Sequence, residues 1–244
     1  AEDARRGVTQ LQGGGVVNAL EHLPGVALYY ADRPEELSAA DLVILPGTKN
    51  TMGDLKWLRE TGMEAAILRK YGEGCFVFGV CGGFQMLGMR LSDPFGIEEG
   101  GTLRGLGLLP VETVFSRDKT RTRVTGNAWV FEEWGGTKAS GFTGYEIHMG
   151  ETFPAEAGSG LNGSQQAGAG QQPGNASRAD HSVTPAICLA DGRMDGFVRA
   201  DGLVFGSYLH GLFDNLEFTG AILTRLAEKK GICFFILVLY WTLQ

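Results

Sequence analysis

The segment Gly79-Val80-Cys81-Gly82-Gly83 limits the folds open to this chain more than any other stretch. It follows the apolar run Cys75-Phe76-Val77-Phe78 and leads into Phe84-Gln85-Met86-Leu87, which suits a helix. The pattern is that of a nucleophile elbow, glycine-x-nucleophile-x-glycine, with cysteine as the nucleophile. A strand that turns sharply into a helix leaves no room for side chains beside the turn, so glycines flank it. The turn lifts the Cys81 sulfur above a sheet edge and sets it at a helix N-terminus, where partial positive charge favours the thiolate. Amide groups just after the turn are placed to bind a developing oxyanion. The alternative for any single cysteine is an inert buried thiol. The paired glycines and the strand-to-helix context argue against it here.

A second continuous apolar run, Asp41-Leu42-Val43-Ile44-Leu45, is closed by Pro46-Gly47 and suits a central parallel strand buried on both faces. Residues 26–30 read as another strand, 33–37 as a short helical connection, and 52–71 as a helix with Leu55, Leu58, Ala66 and Leu68 at apolar positions. This alternation predicts an α/β fold with a mainly parallel sheet. Ligands in such sheets bind beyond the carboxyl ends of the strands, where both the loop after Leu45 and the Cys81 turn fall. Beyond Gly88 the segments 106–115, 121–126 and 144–150 read as strands of an antiparallel extension. Segments 196–199 and 202–210 read as a hairpin ending on a histidine, and 215–230 as a helix stopped by Gly231.

These elements divide the chain into a weakly patterned start (1–25), one domain (26–231) and an apolar tail (232–244). Within the domain, residues 155–182 are rich in Gly, Ala, Ser, Gln and Asn and have too little to bury, which predicts a flexible insertion. The tail is shorter than the roughly 20 residues that span a bilayer. Its alternatives are a strand packed on the body and an exposed tail prone to aggregation or partner docking.

A net charge of −7 and a pI near 5.2 argue against a nucleic-acid backbone as partner. Cys75, Cys81, Cys188 and Cys233 form no C-x-x-C pair and have no histidine at metal-ligand spacing. No metal is therefore expected in the chain, and the expected setting is reducing and cytoplasmic. No basic segment precedes an apolar stretch at the start, so neither a secretory signal nor a membrane segment is expected. A first residue Ala1 suggests a fragment or a processed chain.

A catalytic cysteine needs a general base near it in space. His181 falls in the predicted insertion and His22 in the weakly patterned start. His148 and His210 each end an apolar strand before a glycine, and on chemistry alone they are equal candidates.

The segment 79–88 together with Ser207-Tyr208-Leu209-His210-Gly211-Leu212-Phe213-Asp214 resembles a class I glutamine amidotransferase domain. Three further segments are similar to the cobyric acid synthase branch of that family: 41–51, 105–113 and Gly144-Tyr145-Glu146-Ile147-His148-Met149-Gly150. The resemblance spans roughly 26–230 apart from the insertion, and implies a flavodoxin-like α/β fold. It implies that Cys81 attacks the side-chain amide of glutamine and that His210 protonates the departing ammonia and activates water. It further implies an oxyanion hole at Gly47 and Gly82, a glutamine-backbone contact from Gln85, a carboxylate contact from Arg123, and a pocket lined by Tyr145 and His148. Many relatives in the wider class carry a carboxylate two positions after the histidine, where this chain has Leu212. A Cys–His dyad is the implied form, with Asp214 and Glu146 as candidates to orient His210. The resemblance also implies a partner domain, an ATP-dependent amidoligase using ATP and magnesium, with no cofactor in this chain. The resemblance implies adenosylcobyrinic a,c-diamide as the corrinoid substrate of that domain. Its phosphate loop has no counterpart in the sequence. The competing readings are a non-catalytic binding domain, the glutaminase subunit of another amidoligase such as cobyrinic acid a,c-diamide synthase or lipid II isoglutaminyl synthase, and an elbow-type ester hydrolase.

Overall fold

In a computed structural model, residues 20, 23–130, 137–155, 182–230 and 234–239 are described. The predicted insertion, His22 and His181 lie outside these residues, except for the insertion's two ends. The parallel part of the sheet holds β1 (Val26–Ala31), β2 (Leu42–Leu45), β3 (Phe76–Val80), β10 (Val204–Ser207) and β12 (Phe234–Leu239), in the order β1-β12-β2-β3-β10. Residues 42–45 and 76–80 form these strands because a run apolar at every position suits only a strand covered on both faces. Alternate residues then feed two cores. Leu42, Ile44, Phe78 and Val80 face one side, and Val43, Leu45 and Val77 the other. On the first side Phe78 stacks on Phe205 at 4.5 Å and meets Phe213 and Phe218 edge-on. Each such fully buried side chain contributes about 1.5–3 kcal/mol of transfer free energy.

Helices α1 (Thr51–Glu60), α2 (Met63–Gly72) and α3 (Gly82–Leu87) pack on the second side, and α4 (Leu216–Lys230) on the first. The single helix expected over 52–71 is two. Gly62 adopts φ 81°, a left-handed conformation that ends one helix and starts the next. Asn215 caps α4 by accepting the Phe218 amide at 2.9 Å.

The antiparallel part continues from β10 through β9 (Met194–Arg199) and β8 (Val183–Leu189) to β6 (Val111–Val130). β6 forms a long hairpin with β7 (Thr137–Pro154) and runs beside the short pair β4 (Arg90–Asp93) and β5 (Gly101–Arg104). The strand expected over 106–115 begins only at Val111, because 105–109 are held as a loop by amide bonds to the carbonyls of Met86, Leu87, Gly88 and Met89. The expected hairpin 196–210 is formed by β9 and β10. After Tyr208 the chain steps across to pair β11 (Leu209–His210) with β7. This step brings the histidine-bearing end of the antiparallel half to the carboxyl edge of the parallel half. The tail enters the sheet as well. β12 lies between β1 and β2, with Val26 opposite Phe234 and Leu42 opposite Ile236. Among the described residues no helix is long and apolar enough to cross a membrane.

Candidate active site

Cys81 sits between β3 and α3 with φ 54° and ψ −114°. It is the sole non-glycine residue with positive φ among the described residues. A residue held there stores on the order of 1–3 kcal/mol of strain. Packing around the turn fixes it. A Cβ on Gly79 would lie 2.6 Å from Leu87 Cδ1, and one on Gly83 would lie 2.1 Å from the Leu45 carbonyl oxygen. Helix α3 therefore rests directly on the backbone of β2, and any side chain at Gly83 would part them.

The other half of the site comes from β11. A Cβ placed on Gly47 would lie 3.4 Å from Cys81 Cβ, 3.2 Å from His210 Cε1 and 3.8 Å from His210 Nε2. The thiol-bearing carbon, the imidazole and the Gly47 turn thus converge on one point, although Cys81 and His210 are far apart in the chain. Gly82 backs on the same turn, since a Cβ there would lie 2.4 Å from Thr48 Cγ2 and 3.2 Å from Thr48 N. The two glycines expected to carry the oxyanion amides occupy adjoining turns. The start of α1, which follows, is held by Asn50 accepting the Gly53 amide at 2.9 Å and by Glu98 accepting the Met52 amide at 2.8 Å.

Burial, and second the charge of His148, hold the His210 imidazole below its ordinary pKa, so the ring is neutral near pH 7 and free to take a proton. Neither carboxylate expected to orient it makes that contact. Glu146 accepts from His148 Nε2 at 3.1 Å and from both terminal nitrogens of Arg193, while Asp214 makes no hydrogen bond to the ring. Leu212, at the position of a triad carboxylate, is 2% exposed in the apolar core. The Cys81 thiol donates to the Ile147 carbonyl of β7 at 3.1 Å.

The remaining candidates divide by the parity of the strands. His210 pairs with Tyr145, and Tyr145 with Arg123, so the three stand in a row on one face, with Arg123 exposed and Tyr145 half exposed. His148 is three positions from Tyr145 and falls on the opposite face. The expectation that Tyr145 and His148 line one pocket is corrected on that ground. The side chain of His148 is 8% exposed and bonded internally. Gln85 is also placed otherwise than expected. It is 3% exposed, accepts from Thr51 Oγ1 at 3.1 Å, and donates to the Met149 carbonyl at 3.1 Å and Tyr208 Oη at 3.2 Å. Its amide ties α1, α3 and β7 together and leaves little for a ligand. Among the described residues no group of three His, Cys, Asp or Glu side chains is placed to hold a metal ion.

The sequence reading missed Arg193 and Asp195. Asp195 is buried, accepts from Ser207 Oγ and the Tyr208 amide, and is pushed up to about 6 by burial. The period-two pattern of 144–150 gave no signal for Arg193, because it groups Tyr145, Ile147 and Met149 on the apolar face and leaves Glu146 with His148 on the other.

An open α/β sheet that sets an elbow cysteine against a histidine from its antiparallel edge has the plan of the glutamine amidotransferases. Two solved structures share the fold. One is titled a glutamine amidotransferase (19% identical, TM-score 0.55, covering 87% of this chain and 92% of that one). The other is PurLQS from Thermotoga maritima (18% identical, TM-score 0.55, covering 86% and 91%). The chain belongs to the CobB/CobQ-like glutamine amidotransferase domain family, whose profile matches residues 16–218. Among curated relatives, the cobyric acid synthase of Citrobacter koseri is 46% identical over 222 residues, covering 88% of this chain and 38% of the relative. That of Ruminiclostridium cellulolyticum is 41% identical over 217 residues, with the same two shares. The chain thus spans well under half the length of the curated relatives it matches.

Proposed function

We propose that this domain hydrolyses glutamine to glutamate and ammonia through Cys81 and His210. The observation that carries the reading is the convergence of the Cys81 and His210 side chains at Gly47. His210 takes the thiol proton as the sulfur attacks the glutamine side-chain carbonyl. The resulting oxyanion is bound by amides at Gly47 and Gly82. His210 gives the proton to the departing ammonia and leaves a γ-glutamyl thioester. It then takes a proton from water, whose oxygen attacks the thioester, and glutamate leaves as the thiol reforms. Arg123, exposed beside Tyr145, supplies a cation for the substrate carboxylate, and Tyr145 lines that side of the pocket. Gln85, bonded to Thr51, Met149 and Tyr208, supports the site, and His148, bonded to Glu146, stands behind the pocket.

The curated relatives are named cobyric acid synthases, and most of their length lies outside the region matched here. We infer that the ammonia serves an ATP- and magnesium-dependent amidoligase domain that amidates corrin carboxylates of adenosylcobyrinic a,c-diamide, in the cytoplasm. The test is glutamate release by the chain and by its Cys81→Ala variant, with intact mass after exposure to a glutamine-mimicking diazo ketone. Loss of release in the variant, and one adduct that requires Cys81, are the expected results. Release that persists without Cys81 would remove the assignment. Absence of both turnover and adduct in the unaltered chain would favour a non-catalytic binding domain.

A further inference from the structure

The proposed reaction needs the Cys81 sulfur and the His210 ring at a fixed separation, yet the two residues stand on different strands of the sheet. The chain passes between those strands at Ser207-Tyr208-Leu209, a stretch that the reaction as described leaves without a role. Ser207 ends β10 opposite Val80 of β3 and is fully buried. Its carbonyl accepts the Cys81 amide at 2.8 Å. Its hydroxyl oxygen accepts the Leu209 amide at 3.0 Å, one residue before the base. The hydroxyl proton goes to Asp195 Oδ2, and Asp195 Oδ1 accepts the Tyr208 amide at 3.3 Å. Asp195 reaches this point because Gly196 follows it. With φ 68°, Gly196 lets β9 close on the end of β10, where a Cβ would lie 2.3 Å from the Gly206 carbonyl oxygen and 3.2 Å from Ser207 Cβ.

We propose that Ser207, oriented by Asp195, is the positioning residue of the Cys81–His210 pair. This rests on the glutaminase reading above. One residue holds both partners: its main chain holds the backbone of the nucleophile, and its side chain holds the strand of the base. A serine hydroxyl is free to turn about its own bond. The buried Asp195 carboxylate takes its proton and so leaves the oxygen lone pairs to the Leu209 amide. β11 is two residues long, so its pairing with β7 needs the bend before it to set where His210 stands. Without the hydroxyl, the Leu209 amide and the Asp195 carboxylate each lose a buried partner. The bend then relaxes, and His210 moves relative to a sulfur that the elbow keeps in place. A hydroxyl that served stability alone would change the melting temperature and leave turnover by the folded protein as it was.

The experiment measures steady-state glutamate release by the unaltered chain, Ser207→Ala, Asp195→Ala and Asp195→Asn, each well below its melting temperature. Ser207→Ala and Asp195→Ala should lower kcat by about 10- to 100-fold. KM for glutamine should stay within about twofold, because both side chains are buried away from substrate. Asp195→Asn keeps an acceptor for the Ser207 proton and should restore kcat to within about threefold of the unaltered chain's. Ile222→Val, in the apolar core on α4, is the control and should melt lower with kcat unchanged. Where Ser207→Ala alone does not fold, its combination with Asp195→Asn carries the same test, because no unpaired buried carboxylate is left. A folded protein lacking the Ser207 hydroxyl, single or combined, with unaltered kcat overturns the proposal while leaving the glutaminase assignment intact. Asp195→Asn as slow as Asp195→Ala overturns it equally. Glutamate release that survives Cys81→Ala overturns the assignment itself and the proposal with it.

Discussion

The replacement Gly47→Ala tests the convergence on which the site depends. Gly47 does not have positive φ, so alanine fits its backbone without strain. The added methyl would meet His210 Cε1 at 3.2 Å, tighter than ordinary contact, and Cys81 Cβ at 3.4 Å. The Cys81 carbon is pinned by the elbow, whereas the imidazole turns about its own side-chain bonds, so the ring gives way by a few tenths of an ångström. Such a shift at a reacting pair lowers kcat by about 10- to 100-fold. The fold should tolerate the change. Restricting the unfolded chain contributes about 0.4–1 kcal/mol, which offsets much of the contact cost. Gly83→Ala provides the contrast, because its methyl meets the Leu45 carbonyl oxygen at 2.1 Å and neither backbone can yield. That variant should lose about 3 kcal/mol or more. The assay is steady-state glutamate release with parallel thermal melts. A Gly47→Ala protein with unaltered kcat would refute the claim that the imidazole works from the position packed on this turn.

Asp195 has its carboxyl pushed from 3.8 up to about 6 by burial, so between those values the folded state binds the extra proton and stability falls as pH rises. Asp195→Asn keeps an acceptor for Ser207 and removes that limb. Between pH 3.5 and 7 the variant should gain up to about 3 kcal/mol relative to the parent in denaturant unfolding, and parallel profiles would refute this. His210 contributes with the opposite sign. Its lowered pKa adds stability that is fully present above the ordinary value of 6.5 and is lost as pH falls through the folded value. Deleting residues 232–244 removes β12 and leaves β1 and β2 without their shared partner. The truncated chain should lose more than about 4 kcal/mol of stability, together with glutamate release. A truncated chain that melts like the parent would show that β12 does not pair there.

What could be read from the sequence was local. The strands at 42–45 and 76–80, the elbow between them and helix α4 each announce themselves within ten or fifteen residues, through uninterrupted apolar runs, flanking glycines and helical spacing. What could not be read was the choice of partner. The tail 234–239 is apolar at every position, which marks a strand buried on both faces but not its slot between β1 and β2. In the site, Cys81 stood out because glycines flank its turn, whereas the glycine after His210 did not separate it from His148, and the family resemblance made that choice. Gln85 looks free in sequence, as a polar residue one turn after the elbow cysteine, whereas Thr51, Met149 and Tyr208 hold its amide in the structure. Strand parity was available to separate Tyr145 from His148, but the burial of Glu146 is matched by Arg193, 47 positions further along the chain.

On the proposed reading, the two halves of the sheet supply different parts of the chemistry, without a triad carboxylate. The parallel half ends in two tight turns, at Gly47 and Cys81, and so provides a rigid nucleophile and backbone amides. The antiparallel half carries the base on β11 and the thiol's acceptor on β7. A carboxylate on His210 would raise its proton affinity and require its own partners in a space that Leu212 fills with apolar contacts. Burial, the larger cause of the lowered His210 pKa, acts the other way and leaves the imidazole free to take a proton. The proton then moves to His210 only as glutamine offers the sulfur a carbon to attack. On that reading, proton transfer is coupled to the arrival of the substrate.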